Sequence, residues 1–163
     1  MTPITIRLKI SEIIYDVQNK TYLTGRAVSN GSNHAHVAHI QANDDDENAA
    51  QVLRSITMAY SILCNKMGEY IEGDKALSTN EILTTDDDIE FTLKMPSNFN
   101  SGVVTSLGEA AHQFIVSMAV TDWFAITAKD ETTDYSVVAE SSLKVLEEAL
   151  CKRKRPKRQE KGS

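Results

Sequence analysis

Three kinds of residue cluster in this 163-residue chain carry side chains suited to chemistry: histidines, carboxylates and a run of cations. His34, His36 and His39 form a His-x-His-x-x-His pattern, and Asp44, Asp45 and Asp46 follow shortly after. Imidazole and carboxylate are good ligands for zinc and related metals. Here the histidines fall in a segment rich in Gly, Ser and Asn, with no residues to orient their rings from behind, and helix capping explains the acids. Metal binding at His34, His36 and His39 is left open. Asp86, Asp87 and Asp88 resemble a cation cluster but lack the Gly and the spaced bidentate Glu of a calcium loop. They read as a solvated turn before a strand. His112 is alone on an apolar helix and reads as a core histidine with its hydrogen bonds satisfied, rather than as a general base. The seven glycines are scattered, so no phosphate-cradling loop is present. No Ser, Cys or Thr occupies a nucleophile elbow. The expectation is a protein that is not an enzyme and needs no cofactor.

The cations are the most pronounced feature. Residues 1–151 carry 10 Lys/Arg against 22 Asp/Glu, a net of −12. Residues 152–163 carry seven Lys/Arg against one Glu, a net of +6. Lys152, Arg153, Lys154, Arg155, Lys157 and Arg158 are therefore the candidate partner or DNA contacts. Such a run neutralises phosphates without reading sequence, since it lacks aromatics for base stacking. An acidic protein face attracts it equally well.

The bulk numbers fit one globular domain. Apolar residues make up 41% and charged residues 25%, as in ordinary folded chains. No window reaches the roughly 18 apolar residues of a membrane span, and no membrane is expected as a partner. The start, Met1-Thr2-Pro3-Ile4-Thr5, has no basic segment leading into an apolar one, so no secretory leader is expected. Cys64 and Cys151 lack Cys-x-x-Cys spacing and read as two buried thiols, not a disulfide or metal pair. Domain organisation follows the charge: a helical domain over 1–151 and a basic tail over 152–163.

Periodicity supplies the elements. Ile4, Ile6, Leu8 and Ile10 alternate with polar residues, which predicts a strand with one wet face, or else the first turns of a longer helix. Helical spacing takes over at Ile10, Ile13, Ile14 and Val17, with Ser11 as N-cap and Gly25 as the stop. Residues 28–45 read as loop. A long helix is predicted over 46–72, about 40 Å at 1.5 Å per residue, entered through acids that suit its dipole and closed by Gly73. Residues 74–87 read as irregular, with a possible turn at Glu81-Ile82-Leu83. Ile89, Phe91, Leu93 and Met95 alternate with polar residues up to Pro96, and pair naturally with segment 4–10 in a small sheet. Two further helices follow over 103–128 and 133–152. The architecture is mainly α: a three- to four-helix bundle with a small two-stranded β element and a basic C-terminal tail.

The helix over 103–128 is apolar nearly all round, so it belongs at a bundle centre or a subunit interface. Its apolar surface exceeds what three or four helices readily cover, which favours a neighbouring copy. Phe114, Met118, Trp123 and Phe124 are the expected interface residues, since large aromatics anchor interfaces.

Three stretches carry a resemblance: Ile13-Ile14-Tyr15-Asp16-Val17-Gln18-Asn19-Lys20-Thr21-Tyr22-Leu23-Thr24-Gly25-Arg26, then Met95-Pro96-Ser97-Asn98-Phe99-Asn100, then Thr121-Asp122-Trp123-Phe124-Ala125-Ile126-Thr127 leading to a helix with a Lys/Arg-Pro tail. Together they resemble small helical structural proteins of tailed phages and prophages of gut bacteria, in the manner of head–tail connector (neck or adaptor) proteins. The resemblance implies a virion component without enzymatic activity, assembled in the bacterial host cytoplasm as a homo-oligomeric ring. It implies portal and tail or neck proteins as partners, with non-specific contact to packaged DNA. It carries over no catalytic or ligand residues. The two alternating segments depart from a plain helical connector and keep a tail-terminator-type ring protein open. A small cytoplasmic DNA-binding protein acting through its basic tail is the reading from another class.

Overall fold

The computed structural model describes residues 2–72, 80 and 83–158. Its elements are β1 (Thr2–Lys9), α1 (Ile10–Val28), α2 (His34–Ile40), α3 (Asp46–Lys66), β2 (Asp88–Met95), α4 (Val104–Thr127) and α5 (Thr132–Cys151). The chain is mainly helical with one two-stranded antiparallel sheet, as the periodicity indicates. The two alternating segments do pair, in a register that sets Ile4 against Leu93, Ile6 against Phe91 and Leu8 against Ile89. These side chains line one face, and α4 lies beneath it, close enough that a Cβ on Gly108 would touch Ile6 at 3.6 Å. The opposite face, with Thr5, Arg7, Glu90 and Lys94, is exposed. Covering one face with a helix is what lets so small a sheet persist.

Helix α4 is the centre. Leu107, Ala111, Phe114, Ile115, Val116, Ala119, Val120, Trp123 and Phe124 are all buried. By length and hydropathy it would suit a membrane span; in this fold it packs against α1, α2, α3, α5 and β1. Each large apolar side chain withdrawn from water contributes roughly 1.5–3 kcal/mol.

Several local expectations are corrected. Gly25 does not stop α1, which continues to Val28. It is buried inside the helix, where a Cβ would meet the Gln41 side chain at 3.0 Å. Glycine here admits a close approach, at a cost of about 1 kcal/mol in helix propensity. The presumed loop 28–45 contains α2, so the three histidines sit on a helix. Ser11 is not the N-cap of α1; Lys9 holds that position without a side-chain cap. The long helix ends at Lys66 rather than 72, because Ile71 leaves it to bridge Leu93 on β2. Gly73, Glu81 and Ile82 lie outside the described residues. Cys64 is half-buried and Cys151 exposed, not two buried thiols.

Phe124 is fully buried and meets the Tyr135 ring at 5.5 Å between centroids. Phe124→Ala is expected to cost about 3–5 kcal/mol of stability, read as a lowered urea midpoint at unchanged slope.

Candidate interaction surfaces

The basic run does not simply continue the rod of α5. The chain turns at Lys152 into an extended conformation, and Arg153 forms an antiparallel bridge with Phe99. Asn100 N–H donates to the Lys152 carbonyl at 3.1 Å, and Lys154 N–H donates to the Asn98 carbonyl at 2.7 Å. Arg153 donates from Nη1 to the carbonyls of Leu150 at 2.8 Å and Lys152 at 3.1 Å, and from Nη2 to Tyr70 Oη at 3.5 Å. A cation over the last carbonyls of a helix complements its dipole. Arg153 is thus spent on capping α5, a correction to its assignment as a partner contact. Lys152, Lys154, Arg155, Lys157 and Arg158 are exposed. The root of the segment is fixed: Lys154 lines a cavity of about 130 Å³ with Ile4, Met95, Pro96 and Phe99.

A second surface is a groove of about 580 Å³ between α4 and α5, lined by Glu109, His112 and Gln113 on one side and Val137, Val138 and Val145 on the other. Helix α1 is tied to α4 beside it, where His112 Nε2 lies 2.6 Å from Asp16 Oδ2. A carboxylate only accepts, so this nitrogen carries the proton. His112 is therefore a partnered histidine, as its lone position suggested, though only half-buried. Sequence reasoning missed Asp16, because 96 residues separate the pair and no local pattern joins them. Thr24 and Tyr135 share a hydrogen bond of 2.9 Å that draws α1 to α5 further along. Val137 and Val145 are more than two-fifths exposed, an unusual state for valines lining a groove.

The residues expected at a subunit interface lie elsewhere. Phe114, Trp123 and Phe124 are buried within the single chain, and Met118 is half-buried against the same core. Trp123 Nε1–H donates to the Ile40 carbonyl at 2.5 Å, which fastens α2 to α4. The chain's own helices and sheet cover these side chains, so they present little surface. Nor does the structure gather His34, His36 and His39 into a ligand set. All three are exposed on α2, and no group of three or more His, Cys, Asp or Glu suited to a metal occurs among the described residues.

Asp122 faces α3. Burial pushes its carboxyl above the usual carboxylate range, and a hydrogen bond with buried Ser55 partly offsets this. Comparison with protein-family models, with curated proteins and with solved structures returned no match.

Two predictions follow from these placements. Arg153→Ala is expected to lower stability by about 1 kcal/mol through the lost cap, whereas Lys157→Ala leaves the denaturation midpoint unchanged. A carboxyl raised on folding binds more protons in the native state, so its contribution to stability falls as pH rises through its folded pKa. Asp122→Asn is therefore expected to raise the melting temperature at pH 7, with the gain shrinking as pH falls into the ordinary carboxylate range. Melting curves of both proteins between pH 4 and pH 7 check this; a gain independent of pH assigns the effect to packing.

Proposed function

We propose that this protein is a structural subunit of a tailed-phage virion, a non-enzymatic head–tail connector that assembles as a homo-oligomeric ring between portal and tail. The observation that carries the reading is the anchored basic segment. An acidic body presents a strongly basic arm from a fixed point beside its sheet, a layout suited to docking on neighbouring acidic surfaces in a repeating assembly. The exposed valines of the α4–α5 groove support subunit contact, and together with exposed Tyr15 and Tyr22 on α1 they replace the buried aromatics as the packing surface. The resemblance of the three sequence stretches to connector proteins supplies the place in the virion. The same arm gives the other reading its basis. Five exposed cations over 152–158 suit non-specific contact with DNA, either packaged DNA in a virion or cellular DNA for a small cytoplasmic binder.

Mass measurement of the purified protein, alone and with a portal assembly, separates these readings. The connector reading expects a large homo-oligomer, formed alone or on the portal. Val138→Glu with Val145→Glu is expected to reduce it to monomers of unchanged helicity. A monomer in both conditions that binds duplex DNA favours the cytoplasmic binder; the log–log slope of affinity against salt is then roughly −4 to −5 for five cations, falling to about −2 on deleting 155–163, which leaves Lys152 and Lys154.

A further inference from the structure

Strand β1 has one edge that nothing covers among the described residues. Its polarity follows from the hydrogen bonds on the far side of β2. Lys94 N–H donates to the Tyr70 carbonyl and Glu72 N–H donates to the Thr92 carbonyl, so residues 92 and 94 turn their backbone groups away from β1. In an antiparallel ladder the direction alternates by residue. Ile89, Phe91, Leu93 and Met95 therefore bond to β1, through their register partners Leu8, Ile6, Ile4 and Thr2. By the same alternation Pro3, Thr5 and Arg7 turn theirs outward. Pro3 lacks an N–H, and the outer side of an edge strand is where a sheet tolerates that loss. The outward row is then the N–H and C=O of Thr5 and Arg7 and the C=O of Pro3. Their side chains are exposed as well.

Such an edge is a template for an added strand. The charges around it select what fits. At its C-terminal end Lys9 stands opposite Asp88 in the register, and the Asp87 carbonyl accepts from Ile10 N–H beside it. At its N-terminal end Lys154 shares a small cavity with Ile4, and Arg155, Lys157 and Arg158 continue from there. Arg7, in the middle, is held by Glu90 at 2.8 Å and is neutralised within the sheet. Uncompensated positive charge therefore lies at the N-terminal end of the edge, whereas at the other end Lys9 faces Asp88.

We infer that the free edge of β1 and the basic segment form one docking site, which takes an extended acidic segment of a partner protein by strand addition. Backbone hydrogen bonds to Thr5 and Arg7 fix its register, and the cations of the basic segment at the N-terminal end supply the preference for acid. This rests on the part of the proposed function that gives the basic segment a protein partner; ring assembly is not required for it.

The test uses the full chain and a fluorescent peptide as long as β1, alternating valine and glutamate, with glutamine and lysine versions alongside. Thr5→Pro removes one outward N–H and leaves the inward ladder intact, so the variant is expected to keep its circular dichroism and melting temperature. The acidic peptide is expected to bind, and Thr5→Pro to weaken it at least about tenfold. Deleting 155–163 is expected to shrink the preference for glutamate over glutamine. Hydrogen exchange on the unmodified chain provides a reading free of any folding defect: the peptide slows the amides of Thr5 and Arg7 and leaves Ile4 and Ile6 unchanged. Lack of binding, equal binding of glutamate and lysine peptides, full binding by Thr5→Pro, or unslowed amides at Thr5 and Arg7 overturns the inference. So does a doubled mass that Thr5→Pro abolishes, since a second copy then covers the edge. Ring formation is scored separately by mass, so its failure leaves this result readable.

Discussion

Everything in this fold is arranged around the need to cover α4. A helix that is apolar nearly all round cannot lie on a surface, so the other elements are distributed about it. Helix α5 folds back on it through a short connection, α1 and α3 flank it, and the sheet lays its apolar face across its first half. Many buried side chains at roughly 1.5–3 kcal/mol each outweigh any local preference in the chain. Features of low intrinsic stability, such as the two-stranded sheet and the seven-residue α2, persist because they are part of that cover.

Polar groups near the centre then fix which cover is used. The Trp123 indole needs an acceptor when buried, and the Ile40 carbonyl at the end of α2 supplies it. Thr21 is fully buried, and its Oγ1 accepts from Ala42 N–H at 3.1 Å. These two bonds hold both sides of the turn after α2. Gly25 removes the side chain that would keep Gln41 away. Leaving a buried donor or acceptor unmatched costs about 1–3 kcal/mol, so the pairs select one placement of α2 among several that hydrophobic burial alone would accept.

The sequence makes legible what depends on period and loses what depends on partners. Alternation in 4–10 and 89–95 reveals the strands, and their matched lengths reveal the pairing. The apolar circumference of Val104–Thr127 reveals the central helix. Helix α2 is hidden because His-Ala-His-Val-Ala-His-Ile has little amphipathic pattern and follows a strong turn cluster. Gly25 misleads because glycine serves equally as a helix stop and as a site of close approach. The aromatics of α4 suggested a subunit interface because a count of apolar residues says nothing about how many elements will cover them. At the candidate sites, composition located the basic segment but could not distinguish Arg153, which caps α5, from its neighbours, which do not. The Asp16–His112 tie and the open edge of β1 arise only once distant segments are brought together.

Anchoring changes what the basic segment is able to do. A flexible cationic tail samples a wide volume and meets whatever is negative within it. Here the last backbone tie is at Lys154, so Arg158 lies within about 14 Å of that point even when the chain is extended. Physiological salt screens exposed charges beyond about 8 Å. The arm's influence is therefore local to the end of the sheet where Ile4, Met95 and Phe99 meet it. The acids of the body stand largely at helix entries and in turns, as Asp46 and Glu47 do at α3. The segment is thereby held at the end of the sheet, where Ile4 of β1 and Met95 of β2 line one cavity with Lys154.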